Sequence, residues 1–198
     1  IDGLRPTPDR VRETLFNWLM WDIQNAQVLD ICAGSGALSF EALSRGAAQV
    51  VMIEPDRTQA KFLTDNLQLL KVTAQHAKLK TATAQQALPA LKEQFDVVFL
   101  DPPYSLDLWE ALAQLADPAI KANALIYVEA DRDLSQLKLP TTWKQIKETK
   151  EELSDYGVQP ATPSKQSSQA GTNLANLDYT GQDVITVDNN QPSFSEAD

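Results

Sequence analysis

The chain carries the run Val28-Leu29-Asp30-Ile31-Cys32-Ala33-Gly34-Ser35-Gly36, an apolar stretch that ends in an acidic residue and a glycine turn (residues 32–36). This pattern is typical of a buried parallel strand that delivers a loop to the carboxyl edge of a sheet. Gly34 and Gly36 have no Cβ atom to keep a ligand away, and residues 37–43 are predicted to open a helix. Because ligands of such sheets bind at the carboxyl edge, we expect this turn to face a nucleoside.

Two further positions indicate which kind of nucleotide fits. A dinucleotide-binding fingerprint has a third glycine where this chain has Ser39, so a nicotinamide or flavin cofactor is disfavoured. The next apolar run, residues 50–53, is followed by Glu54, which lies 20 residues after Gly34. An acidic side chain at that distance accepts hydrogen bonds from ribose hydroxyls in folds of this kind. We therefore expect Glu54 to bind the ribose of a nucleoside.

A second run, Val97-Val98-Phe99-Leu100-Asp101-Pro102-Pro103-Tyr104, also ends an apolar strand with an acidic residue and a tight turn, the Pro-Pro turn (residues 101–104). Asp101 supplies an acceptor, the two prolines offer carbonyls, and Tyr104 supplies a flat ring. A planar base could stack on that ring while its exocyclic amine donates to Asp101 and a neighbouring carbonyl. Such positioning needs no metal and no covalent enzyme nucleophile. The alternative is an ordinary strand-ending turn.

The rest of the chain alternates between strand and helix patterns, the order of a doubly wound α/β sheet. Strands are predicted at about 27–32, 49–54, 78–82, 96–101 and 123–129, and helices at about 9–23, 36–45, 57–71, 85–93 and 106–116. Residues 143–149 and 181–187 have the pattern of two final antiparallel strands. The competing interpretation is that everything after residue 150 is a disordered acidic tail.

Several segments together resemble one family. They are residues 3–19, residues 30–38, the helix segment 40–47, Asn66 and the Pro-Pro turn. They are similar to the RsmD family of class I S-adenosylmethionine-dependent methyltransferases, over residues 3 to about 150. The resemblance implies a Rossmann-like, doubly wound, mostly parallel seven-stranded sheet with an antiparallel last strand. It also implies methyl transfer from S-adenosylmethionine to N2 of a guanine, with 16S rRNA or the small ribosomal subunit as partner.

The resemblance assigns candidate site residues as well. The catalytic base clamp would be Asp101, Pro102, Pro103 and Tyr104, and no metal is expected. The cofactor-binding residues would be Asp30, Ala33, Gly34, Ser35, Gly36, Glu54, Thr83 and Ala84. The RNA-binding residues would be Arg5, Arg10 and Arg12. Charge alone makes Lys78 and Lys80 further candidates for the same basic patch. Family members usually have Asp or Asn near the adenine where this chain has Thr83-Ala84, and many have Phe where it has Tyr104.

Other readings of these residues stay open. DNA adenine-N6 and protein glutamine methyltransferases use a turn of the same Asn/Asp-Pro-Pro-Tyr type, and residues 5–19 are what favours rRNA. A non-catalytic, nucleoside-binding ribosome assembly factor is the alternative outside catalysis. Asp30 could simply bind backbone N–H groups that hold the loop. Arg10 and Arg12 could simply pair with acidic neighbours on an exposed helix.

Charge is distributed unevenly along the 198 residues, whose net charge is −10. Residues 151–198 hold one Lys against eight Asp and Glu, and residues 1–150 are nearly neutral, so RNA binding must depend on a local basic patch. We predict a methyltransferase domain over residues 1–150 plus about 181–188. Residues 151–180 are predicted to be a disordered acidic insertion, because they have few large apolar side chains, and residues 189–198 a tail.

Targeting signals give the last expectations. The sequence has no apolar run of membrane-spanning length, no secretory signal and a single cysteine. These features predict a cytoplasmic protein that does not bind membranes, and we expect a monomer. Members of the resembled family begin with a basic hairpin ahead of the Leu4-Arg5-Pro6-Thr7 run, and we expect that hairpin to be missing from this chain.

Overall fold

The computed structural model describes residues 9–150 and 182–188. Their strands are β1 (Gln27–Asp30), β2 (Gln49–Ile53), β3 (Ala77–Lys80), β4 (Phe95–Leu100), β5 (Ile120–Ala130), β6 (Trp143–Lys150) and β7 (Gln182–Asp188). Their α-helices are α1 (Asp9–Trp18), α2 (Ala37–Ser44), α3 (Arg57–Leu69), α4 (Ala84–Ala87) and α5 (Trp109–Ala116). The strands form one seven-stranded sheet in the order β3-β2-β1-β4-β5-β7-β6. The predicted α/β, doubly wound and mostly parallel sheet is confirmed.

The central strands β1, β2 and β4 are buried on both faces of the sheet, as their apolar runs predict. Alternate residues of each strand point to opposite faces. Leu29 and Val98 lie on the face that packs against α4 and α5. Val28 and Phe99 lie on the other face, in a core that includes side chains of α1, α2 and α3. The two cores make a three-layer arrangement with the sheet in the middle.

The strand order reverses between β1 and β4. β1 pairs in parallel with β2 on one side and with β4 on the other, with Asp30 opposite Phe99. In a doubly wound sheet the loops that follow the two strands at such a point diverge and leave a crevice for a ligand. The glycine turn follows β1 and the Pro-Pro turn follows β4, so the topology brings the two predicted motifs to the same place.

The predicted antiparallel direction of the last strand is wrong. The predicted strand near 181–187 is present as β7, but it runs parallel to both of its neighbours, β5 and β6. A parallel pair needs a crossover connection of a dozen or more residues, and residues 151–181 are long enough to provide one between β6 and β7. The insertion predicted at 151–180 and the tail predicted at 189–198 lie outside the described residues.

Three helices are shorter than predicted by three residues or more. α1 ends at Trp18, five residues before the predicted end, and the chain turns through Asn25 at φ 61°. α4 gives way to a 3₁₀ turn, Leu88–Ala90, because Pro89 has no N–H to continue an α-helix. α5 begins only at Trp109, because residues 104–106 form a separate 3₁₀ turn. No helix within residues 9–150 is long and apolar enough to cross a membrane.

Candidate active site

The glycine turn is fixed by its neighbours on both sides. The N–H of Ile31 donates to the carbonyl of Phe99 at 3.1 Å, and the N–H of Ala33 donates to the carbonyl of Ile53 at 2.9 Å. Gly36 begins α2 with φ 79°, a conformation that L side chains rarely adopt. A Cβ atom there would also lie 2.5 Å from Leu63 Cδ2. Gly36 is therefore required both by its dihedral angle and by its surroundings.

Asp30 anchors the helix behind this turn. Its side chain is 2% exposed, and Oδ2 accepts a hydrogen bond from the hydroxyl of Ser39 at 2.6 Å. Burial raises the pKa of Asp30 to about 6, the Ser39 hydrogen bond opposes that shift, and the nearby charge of Glu54 adds to it. Ser39, which replaces the third glycine of a dinucleotide fingerprint, thus links α2 to β1. The loop-holding role of Asp30 is the one that its contacts show, and its contact with a cofactor stays a prediction.

The raised pKa of Asp30 gives a pH-dependent prediction. A group whose pKa is higher in the folded than in the unfolded protein binds more protons when folded, so stability falls as pH rises between the two values. Asp30→Asn removes this titration, and its amide oxygen can still accept from Ser39. The unfolding free energy of D30N relative to wild type should therefore rise between about pH 4 and pH 6, by up to about 3 kcal/mol, and then stay constant. Urea unfolding from pH 4 to pH 8 measures it, and a flat difference would contradict the assignment.

Glu54 connects the end of β2 to the glycine turn. Its Oε2 accepts from the N–H of Gly34 at 2.9 Å, and its Oε1 accepts from the N–H of Asp56 at 2.8 Å. Burial raises the pKa of Glu54, while these two backbone donors oppose the shift. Each carboxylate oxygen has two lone pairs, so the same side chain can also accept from ribose hydroxyls. The structure shows the first role, and the second stays a prediction.

The Pro-Pro turn lies beside the glycine turn. Asp101 is half-buried, Pro102 is buried and Pro103 is exposed. Burial is the main cause that raises the pKa of the Cys32 thiol. The negative charges of Asp30 and then Asp101 raise it further. The charge of Asp101 also raises the pKa of Tyr127 on β5, although burial and the charge of Glu129 have larger effects. Asp101 is therefore electrostatically close to the glycine turn on one side and to β5 on the other.

Tyr104 is held at its ring and at its hydroxyl. Its ring packs against Trp109 at a centroid distance of 5.6 Å and an interplanar angle of 40°. Its hydroxyl donates to Glu129 Oε1 at 3.3 Å, and the Trp109 indole N–H donates to the backbone carbonyl of Glu129 at 2.7 Å. Sequence reasoning missed Glu129. The available signal was an acidic residue near the end of an apolar strand, Ile126-Tyr127-Val128-Glu129, as for Asp30.

The predicted adenine contacts have structural roles. Thr83 is exposed and caps α4, where its Oγ1 accepts from the N–H of Gln86 at 3.3 Å. The Gln86 side chain accepts from the Thr83 N–H at 3.4 Å, which completes a capping box. Ala84 is buried in the core that packs against α5. Both residues lie shortly after β3. Their contact with adenine stays a prediction.

The predicted RNA-binding arginines are only partly described. Arg5 lies outside the described residues, and Arg10 is exposed on α1. Arg12 donates from Nη2 to Asp9 Oδ1 at 2.7 Å, the local ion pair that was the alternative to RNA contact. Lys78 pairs with Glu93 at 2.9 Å. Exposed pairs of this kind are weak enough to exchange for phosphate, so the RNA contacts stay predictions.

The fold belongs to the class of Rossmann-like methyltransferases. The solved structure of the yhhF protein of Escherichia coli matches with a TM-score of 0.65 and 45% identity, covering 73% of this chain and 80% of that one. A solved structure from Haemophilus influenzae matches with a TM-score of 0.58 and 48% identity, covering 65% of this chain and 82% of that one.

The sequence relatives define the family. The model described as "Conserved hypothetical protein 95" matches residues 1–158. The Haemophilus influenzae protein named Ribosomal RNA small subunit methyltransferase D is 46% identical over 159 residues, 78% of this chain and 82% of that protein. Its Escherichia coli namesake is 43% identical over 148 residues, 74% of each protein. The chain belongs to the RsmD family of methyltransferases.

Proposed function

We propose that this protein transfers a methyl group from S-adenosylmethionine to the exocyclic N2 amine of a guanine in 16S rRNA. The observation that carries the proposal is the meeting of the glycine turn and the Pro-Pro turn where the strand order reverses between β1 and β4. One turn suits a nucleoside cofactor and the other suits a planar base with an amine. The names of the relatives from Haemophilus and Escherichia support rRNA of the small subunit as the substrate class.

The residues present fit S-adenosylmethionine. The glycine turn has left-handed backbone at Gly34 (φ 54°) and Gly36 (φ 79°), so its tight shape depends on glycine, as expected of a loop that bends around a nucleoside cofactor. Glu54 ends β2 with a carboxylate that can accept from ribose hydroxyls, and Asp30 holds the turn in shape through Ser39. The carboxylates of Asp30 and Glu54 at this edge also favour a cationic ligand. When bound, S-adenosylmethionine supplies an electrophilic methyl group on a positively charged sulfur.

The chain's own part in the reaction is positioning and charge stabilisation. The ring of Tyr104 stacks against the guanine base, which must be flipped or already single-stranded to reach it. Asp101 and the Pro102 carbonyl accept hydrogen bonds from N2, which aim the nitrogen lone pair and stabilise the positive charge that develops on it. The proton that N2 loses goes to Asp101 or to water. No covalent enzyme intermediate is required.

Incubation with methyl-labelled cofactor separates this proposal from its alternatives. The purified protein is offered unmethylated small subunits, naked 16S rRNA, adenine-containing duplex DNA and a release factor in parallel. We expect label in one of the two rRNA samples, recovered as N2-methylguanine after digestion. Label in DNA or in the release factor would instead support an adenine-N6 or a glutamine methyltransferase. Label in none, with cofactor binding intact, would support a non-catalytic assembly factor. The cytoplasmic location stays a prediction.

A further inference from the structure

The carboxylate of Glu129 on β5 has no role in the mechanism above, yet it is built into the site. Glu129 is 4% exposed, and each of its two oxygens accepts from a different tyrosine. Oε1 accepts from the Tyr104 hydroxyl at 3.3 Å, and Oε2 accepts from the Tyr127 hydroxyl at 2.9 Å. A buried carboxylate needs donors of this kind, and its removal would leave both hydroxyls without this acceptor. Tyr127 is itself buried in the core, but Tyr104 is half-buried and belongs to the Pro-Pro turn.

Both ends of the Tyr104 side chain are connected to Glu129. The hydroxyl reaches its carboxylate, and the ring packs against Trp109, whose indole N–H donates to the backbone carbonyl of the same residue at 2.7 Å. Trp109 is fully buried and is the first residue of α5, so it belongs to the core and not to the loop. The orientation of the Tyr104 ring is therefore fixed by β5 and not by the exposed 3₁₀ turn at 104–106 alone.

We infer that Glu129 is a positioning residue for the target base and acts through the hydroxyl of Tyr104. The inference deepens the proposed function and rests on it. A hydrogen bond from a phenol to a carboxylate is charge-assisted; at 3.3 Å this one is longer than the strongest bonds of the type, and it adds to the packing of the ring on Trp109. It holds the ring in one orientation before the base arrives, so less conformational freedom is lost when the base stacks. A chain with Phe in place of Tyr104 keeps the stacking face but loses this connection.

A double-mutant cycle tests the inference. Glu129→Gln is nearly isosteric: its amide oxygen can accept from one tyrosine and its amino group can donate to the other phenol oxygen. The Trp109 bond uses the backbone and survives. We expect E129Q and Y104F each to raise KM for the labelled rRNA substrate about fivefold, with the affinity for S-adenosylmethionine unchanged. The double variant should be no worse than either single variant, because both changes remove the same charged hydrogen bond between the Tyr104 hydroxyl and the Glu129 carboxylate.

The matched control is Tyr127→Phe, which removes the other hydroxyl that donates to Glu129. We expect Y127F to lower the thermal unfolding midpoint but to leave KM for rRNA unchanged. In a double-mutant cycle of Y127F with E129Q, we expect the two changes to be coupled in unfolding free energy but not in KM. The inference is overturned if E129Q raises KM by the same factor with Phe as with Tyr at position 104. It is also overturned if E129Q changes stability without changing KM.

Failure of the proposed function would look different, because wild-type protein would then methylate no rRNA. In that event the near-ultraviolet circular dichroism of the free protein still tests the connection between Tyr104 and Glu129. E129Q should change the aromatic signal more in the Tyr104 protein than in the Y104F protein, where only Tyr127 still has a hydroxyl in contact with residue 129. An equal change in both proteins would show that Glu129 does not hold Tyr104.

Discussion

Asp101→Ala is expected to lower the rate of methyl transfer at least about 100-fold while the dissociation constant for S-adenosylmethionine changes by less than about threefold. In the proposed mechanism the carboxylate orients the amine and stabilises its developing charge, and neither task is needed to bind the cofactor. Single-turnover transfer of labelled methyl and calorimetric titration of the cofactor give the two numbers.

The control for Asp101 is available a few residues along the chain. Asp107 is exposed, has φ 47° and pairs with Arg132 at 3.2 Å, so Asp107→Asn removes a nearby charge with a residue that tolerates this conformation. We expect D107N to retain near-wild-type turnover. Asp101→Asn keeps one acceptor oxygen without the charge and should fall between wild type and D101A. If D101A lost cofactor binding and turnover equally, the assigned role would be wrong.

Gly36→Ala should have the second large effect, on both stability and cofactor binding. Left-handed backbone at a residue other than glycine costs about 1–2 kcal/mol, and forcing a methyl group into a packed site costs about 1–3 kcal/mol more. The added Cβ would lie 2.5 Å from Leu63 Cδ2 and 2.7 Å from Phe40 Cε2, so these two side chains must move. We expect a loss of about 2–5 kcal/mol in unfolding free energy and at least a tenfold weaker affinity for S-adenosylmethionine. Denaturant unfolding and cofactor titration measure the two losses.

Gly46→Ala separates the two causes of that loss. Gly46 also has a positive φ, +93°, but the nearest atom to an added Cβ is Gln24 Cγ at 3.5 Å, an ordinary contact. G46A should therefore lose only the backbone contribution of about 1–2 kcal/mol and bind the cofactor as wild type does. Equal losses in G36A and G46A would show that the packing of Leu63 and Phe40 does not matter.

Much of the fold could be predicted because the pattern in the central strands is strong. β1, β2 and β4 are continuous apolar runs that each end next to an acidic residue, and both faces of the sheet are buried as such runs require. The direction of β7 could not be predicted in this way. Antiparallel and parallel neighbours share the same apolar pattern, and the length of the 151–181 connection permits either.

The site residues also fall into those that a local sequence pattern predicts and those that it does not. Motifs that are local in sequence, the glycine turn and the Pro-Pro turn, were found, and the sheet brings them together. Glu129 was missed because its part depends on contacts with Tyr104 and Tyr127 that only the folded chain reveals. Thr83 is the opposite case, a residue that the family resemblance assigned to the cofactor. The structure shows it in a capping box with Gln86, a role that explains a threonine at this position without any ligand.

A crystal structure of the protein with S-adenosylhomocysteine tests the central claim most directly. The measured quantity is the distance from the thioether sulfur to the nearest carboxylate oxygen of Asp101. We predict a distance of at most about 7 Å between the two atoms. An amine held by that oxygen must lie about 3–3.5 Å from the methyl group that the sulfur carries before transfer. We also predict that the ring of Tyr104 faces the same space. A sulfur that points away from the Pro-Pro turn, or protein atoms between it and Asp101, would contradict the account.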